Sequence, residues 1–130
     1  MGCNSDYMAP TGKERAMQDA AIYQARVLAR LGRPVPAWLK KETKNIYAAD
    51  ERNVTGLCAI LKELGKSQRD HLLYSDAKDA EMRDIAAWWE AHEAADNKRA
   101  AEERAAKRKE KLRESALAKL TPSERKALGF

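Results

Sequence analysis

Residues 76–120 read DAKDAEMRDIAAWWEAHEAADNKRAAEERAAKRKEKLRESALAKL. No proline or glycine interrupts the stretch, and Met82, Ile85, Trp88, Trp89 and His92 recur at helical spacing, so it begins as an amphipathic helix. Beyond His92 the large apolar residues stop, and Ala94, Ala95, Ala100, Ala101, Ala105 and Ala106 alternate with charges. Glu103 precedes Lys107 by four positions, a spacing that supports a helix on its own surface. Leu112, Leu117 and Leu120 then return as a narrow apolar strip. One long helix is predicted. Its first half packs through the tryptophans, and its second half, Asn97 to Lys119, is a solvated basic arm held by propensity and length.

Upstream, the chain reads as short helices that need a face to pack on. Thr11-Gly12-Lys13-Glu14 is a capping box, followed by Met17, Ala20, Ala21, Val27, Leu28 and Leu31 as an inward stripe. Gly32 supplies a left-handed stop, and Pro34 and Pro36 prevent continuation. Pro36 suits the first turn of a second helix, with Trp38, Leu39, Thr43, Ile46 and Tyr47 on its apolar side. Asn53 is placed to cap a third helix with Val54, Leu57, Cys58, Leu61 and Leu64 inward, and Gly65 ends it. A short turn runs through Leu72, Leu73 and Tyr74, and Ser75 or Asp76 caps the long helix. Thr121-Pro122-Ser123-Glu124 is a second capping box. The expected fold is all-α: a small helical bundle (residues 1–96) with a long, partly projecting charged C-terminal helix (residues 97–130).

Charge is distributed unevenly. Between Lys98 and Lys126 eleven Lys/Arg face five Glu, a net of +6, within a chain whose total is +5. The body is near neutral and the arm is cationic. Two cysteines, Cys3 and Cys58, make no disulfide framework, and Cys58 reads as a buried thiol. No apolar run reaches membrane-spanning length and no signal-peptide core is present, so a cytoplasmic setting without membrane contact is expected. Met1-Gly2-Cys3 departs from the myristoylation pattern, which wants Ser or Thr where Asp6 stands.

No constellation points to catalysis. The histidines and cysteines are scattered without CxxC or HxxxH, so neither metal nor cofactor is expected. There is no GxSxG, no recognisable Cys–His context and no Gly-rich phosphate loop, so the reading is not an enzyme. Two binding surfaces compete instead. In one, the polar cluster Asn4, Ser5, Asp6 and Tyr7 packs back and lines a pocket; the alternative is a capping or frayed terminus. Trp88 and Trp89 join this ligand-binding set, because adjacent rings sit about 100° apart and one must lie near the rim if the other faces a core. Arg15, Arg26, Arg52 and Arg69 are candidate phosphate contacts beside the rim tryptophan, and no spacing singles one out; Arg15 is counted in the ligand-binding set. The other surface is the arm, where Lys98, Arg99, Arg104, Lys107, Arg108, Lys111 and Arg113 could meet phosphates; it carries no interleaved aromatics. A leucine seam also leaves room for a homo-oligomer through the long helix.

The run Cys3-Asn4-Ser5-Asp6-Tyr7-Met8 with Pro10-Thr11, then Leu31-Gly32-Arg33-Pro34-Val35-Pro36 and Trp38, resembles a group of small bacteriophage accessory proteins. Leu57-Cys58-Ala59 and Trp88-Trp89-Glu90 with Glu93 and Asp96 are similar to it too. The resemblance covers most of the body and not the arm. It implies a host bacterial cytoplasm during infection, and stoichiometric sequestration or inhibition of a host defence protein or nucleotide signal. The nucleic-acid-binding accessory and the structural homo-oligomer are the alternatives.

Overall fold

The computed structural model describes residues 8–129. Among them are six helices and no strand: α1 (Gly12–Arg30), α2 (Ala37–Thr43), α3 (Arg52–Glu63), α4 (Lys66–Tyr74), α5 (Ala80–Ala118) and α6 (Pro122–Ala127). The all-α expectation holds, and α5 runs for 39 residues. Two compact units divide inside α5, one ending at Ala86 and the other beginning at Ala87.

In the first unit, α1 is the hub: its principal partners are α2 and α3. The Thr11–Glu14 capping box closes as the sequence predicts, with Glu14 N–H on Thr11 Oγ1 and Thr11 N–H on Glu14 Oε1. At the other end Gly32 takes φ 69°, Gly32 N–H bonds Ala29 O and Arg33 N–H bonds Leu28 O. This left-handed stop turns the chain so that Leu28 packs with Ala21 and Leu39, flanked by Val35, Trp38 and Ile60. The rest of the buried apolar set includes Val27, Leu57, Leu61, Leu64, Leu73, Met82 and Ile85.

Several expected positions are corrected. Met17 and Leu31 are half-buried, and the polar Gln24 takes a core place on α1. Pro36 stands at the N-cap of α2, where its carbonyl accepts from Leu39 and Lys40 N–H. That helix stops at Thr43; Asn45 Oδ1 accepts Tyr47 N–H, and this Asx turn leaves Ile46 and Tyr47 exposed. Val54 and Cys58 are half-buried, not core. The turn expected near Leu72 is a nine-residue helix, because Arg69 Nη1 donates to the carbonyls of Leu61 (3.0 Å) and Leu64 (3.4 Å) and so ties α4 to the end of α3. The cap of α5 is Asp79, whose carboxylate accepts Glu81 and Met82 N–H; Asp76 accepts only Lys78 N–H, in the turn before.

Asn53 is the largest revision. It is not a cap but a fully buried bridge: Nδ2 donates to Met17 O (3.2 Å) and to Glu42 Oε1 (3.0 Å), joining α1, α2 and α3. Its Oδ1 has no hydrogen-bond partner among the described residues, a cost that the charge-assisted bond to Glu42 offsets. Glu42 also accepts from Asn45 Nδ2 and Asp50 N–H, so one carboxylate fixes the 45–50 loop. Burial pushes the Glu42 carboxyl up, but the bonds from Asn45, Asp50, Asn53 and Ala49 outweigh it and hold it below the usual carboxylate range.

Beside this bridge α3 carries Gly56. The Gln24 amide, oriented as its surrounding acceptors require, donates to Arg52 O (3.1 Å) and Asn53 O (3.2 Å). A Cβ on Gly56 would lie 2.4 Å from the nearest atom of that carboxamide. With Gln24 only 5% exposed, the side chain has no free direction in which to retreat. Gly56→Ala gains about 1 kcal/mol of helix propensity but breaks buried bonds worth about 1–3 kcal/mol, so urea unfolding is expected to show a net loss. In Gln24→Ala/Gly56→Ala the second change should cost nothing further or restore stability; additive losses would show that the two side chains do not compete for one space.

The lowered Glu42 value gives a second expectation. Its stabilising contribution is present above the ordinary carboxylate pKa and is lost as pH falls through the depressed folded-state value. Glu42→Gln should therefore unfold more easily at neutral pH and flatten the acid limb of the stability–pH curve; a variant with an unchanged acid limb would remove Glu42 from that role.

Candidate nucleic-acid interface

In the second unit, the α5 residues 97–116 are exposed throughout, apart from the half-buried Ala100. α5 has no large apolar face there, so its continuity comes from alanine, glutamate, lysine and arginine propensity. The strip expected from Leu112, Leu117 and Leu120 is not continuous. α5 ends at Ala118, Leu112 is 72% exposed, and Leu117 and Leu120 are half-buried where the chain turns into α6. The predicted Thr121–Glu124 box starts α6, and Arg125 Nε donates to Leu117 O (2.9 Å), fastening the last turn of α5.

A continuous α-helical register sorts the arm's charges by face. Arg104, Lys107, Arg108 and Lys111 stand at i, i+3, i+4 and i+7 and form one row, within a sector about 100° wide. Lys98, Lys109 and Arg113 form a second row, interrupted by Glu102. Glu103, Glu110 and Glu114 form a third at i, i+7 and i+11. Lys98, Arg104, Lys107, Arg108, Lys109 and Lys111 make no ion pair among the described residues, and the expected Glu103–Lys107 pair does not close. Lys109 was not singled out by charge counting; its signal was its place four residues before Arg113 and eleven after Lys98. Arg99 leaves the set, because it pairs with Asp96 on the acidic side of the helix.

Trp88 and Trp89 divide as adjacent helical residues must. Trp89 is 6% exposed, and Trp88 is half-buried and stacked on His92, with centroids 4.9 Å apart and planes within 7°. His92 Nε2 lies 3.3 Å from Asp96 Oδ2. Trp88, His92 and Asp96 follow one another at i, i+4 and i+8, on the side of α5 that continues into the glutamate row. The aromatic stack and the first cationic row thus face different ways.

The ligand-binding set fares differently. Asn4, Ser5, Asp6 and Tyr7 lie outside the described residues. Arg15 is exposed on α1. Arg26 pairs with Glu81; Arg52 forks onto Asp50 (Nη2–Oδ2 2.8 Å) with its guanidinium 4.0 Å from the Trp38 ring; Arg69 holds the end of α3. Those three arginines are structural. Sequence reading missed a cleft in the first unit, about 470 Å³, where Met17, Ala48, Ala49 and Val54 provide apolar walls beside Lys13, Glu14, Glu51 and Thr55. The sequence carried no signal for it, because Met17 and Val54 read as inward stripe residues and only the fold leaves them half-exposed.

No helix among the described residues is long and apolar enough to cross a membrane. No protein-family model matches the sequence, and comparison with curated proteins and with solved structures finds no match.

Proposed function

We propose that the protein is a nucleic-acid-binding accessory that acts by stoichiometric occupation and not by catalysis, with the distal half of α5 as its contact element. The observation that carries this reading is the row Arg104, Lys107, Arg108 and Lys111: four cations in one exposed sector with no ion pair among the described residues, and with the glutamates gathered elsewhere on the helix. A solvated helix needs only interspersed charge to stay soluble; sorting like charges onto one face costs repulsion and favours a polyanionic partner. The resemblance to phage accessory proteins suits such a role in an infected bacterial cytoplasm.

Binding of a labelled 20-mer duplex followed by anisotropy across a salt series tests it. Each phosphate contact contributes about −0.9 to the slope of log K against log salt, so alanine at all four positions should flatten the slope by about 3–4. Absence of binding at low salt, or a slope unmoved by the four substitutions, overturns the reading.

Sequestration of a host defence protein is the second reading, favoured by the cleft on α1. One lysine against two glutamates in its wall suits an apolar side chain of a protein better than the phosphates of a nucleotide signal. Met17→Glu should abolish capture of any host protein that wild type retains from lysate; capture unaffected by that change would place the partner elsewhere.

A further inference from the structure

The angular order of the arm's side chains fixes how α5 would lie on a nucleic acid, a step that rests on the nucleic-acid reading. Between the two cationic rows runs a ridge of small or apolar residues, Ala94, Ala101, Ala105, Leu112 and Ala116, repeating at i, i+7, i+11, i+18 and i+22. At about 100° per residue, the first cationic row lies about 100° to one side of this ridge and the second about 60° to the other. The Glu103, Glu110 and Glu114 row lies about 170° away, on the opposite side of the helix. The same element therefore carries an apolar floor, two positive flanks and a negative back.

We propose that the segment of α5 around Arg104–Arg113 seats in the major groove of duplex DNA with Ala101, Ala105 and Leu112 toward the groove floor. The groove is about 12 Å wide and an α-helix with its side chains about 10–12 Å across, so a leading face of small residues lets the helix axis come close to the groove floor. Alanine at two successive floor positions meets that condition, and an apolar floor can meet thymine methyl groups. The flanking rows then face the phosphate walls: Arg104, Lys107, Arg108 and Lys111 one strand, Lys98, Lys109 and Arg113 the other. Glu103, Glu110 and Glu114 face away from the floor, and Glu102 is the one acid within the second row. From Lys98 to Arg113 the contacting segment is about 22 Å long at about 1.5 Å per residue.

Three other polyanions fit less well. An anionic bilayer calls for large apolar side chains on the leading face, and this ridge carries one leucine among alanines. The major groove of A-form RNA is deep and narrow and closed to a helix. A single-strand platform needs aromatics beside the cations, and the Trp88–His92 stack lies on the glutamate side.

The full chain should be titrated against a 20-mer DNA duplex, the same sequence as duplex RNA, single-stranded DNA, and phosphatidylserine vesicles, with dimethyl sulfate probing of guanine N7 on the DNA. Groove seating predicts tightest binding to duplex DNA and protection of N7, which faces the major groove. Ala101→Leu/Ala105→Leu, which keeps helix propensity, should weaken duplex binding by about tenfold or more by lifting the helix off the floor, whereas Glu110→Gln should not weaken it. Duplex binding without N7 protection, equal affinity for RNA, or a double-leucine variant that binds DNA as well as wild type would overturn the seating and leave phosphate binding intact. Vesicle binding tighter than DNA binding would also overturn it. Silence toward every nucleic acid at low salt would remove the underlying reading as well.

Discussion

The first unit depends on a polar bond made in the dark. Asn53 reaches from α3 to the Met17 carbonyl of α1 and to the Glu42 carboxylate at the end of α2, and it is fully buried as it does so. Apolar packing alone tolerates sliding between helices, because a methyl group fits many neighbouring hollows. A buried amide with two fixed acceptors does not, since any shift leaves donors or a carboxylate without a partner in a low-dielectric setting. Gln24 repeats the device one turn along, donating to backbone carbonyls of α3 over the gap left by Gly56. Together they set the register of α1 on α3, and the loop carrying Ala48 and Ala49, two walls of the cleft, follows from Glu42's other bonds.

These bonds explain which parts of the fold were legible in the sequence. Features decided within four or five residues could be read directly: both Thr-x-x-Glu boxes, the Gly32 stop and the all-α class depend on local chemistry. Asn53 was misread because an asparagine ahead of an apolar stripe has the local signature of a cap, while its acceptors lie 36 and 11 residues away. Asp79 reads in sequence as a first-turn acid, and not as the cap, for the matching reason. Ser75, Asp76 and Asp79 are all competent caps, and pairing of Asp79 with Arg30 across the unit helps select among them. The body's arginines were indistinguishable as sequence, and only the fold shows that Arg26, Arg52 and Arg69 are already occupied.

In the second unit the situation is reversed. Among the described residues, 97–116 are exposed apart from the half-buried Ala100, so the helical register decides which charges share a face. What counting charges along the chain could not give was their angular order. A net of +6 between Lys98 and Lys126 suits a mixed, salt-bridged surface as well as a sorted one. The break in the leucine strip matters for the same reason. Without an apolar seam of large residues, the arm has little to offer a second helix through burial, and its surface chemistry is electrostatic.

Sorting has a thermodynamic consequence of its own. Arg104, Lys107, Arg108 and Lys111 repel one another along the free helix, and the repulsion is relieved only by salt or by a polyanion. On the proposed reading, counterions released from a nucleic acid would supply the compensating entropy, and a small penalty in the free state would be exchanged for a strongly salt-dependent gain in the bound one. Had Glu103, Glu110 and Glu114 been placed among those cations, the isolated helix would be more stable and the bound one less so. They stand about 90° round the helix from the row, next to Lys107 and Lys111, so Arg104 and Arg108 are the two cations with no glutamate three or four residues away to compensate them.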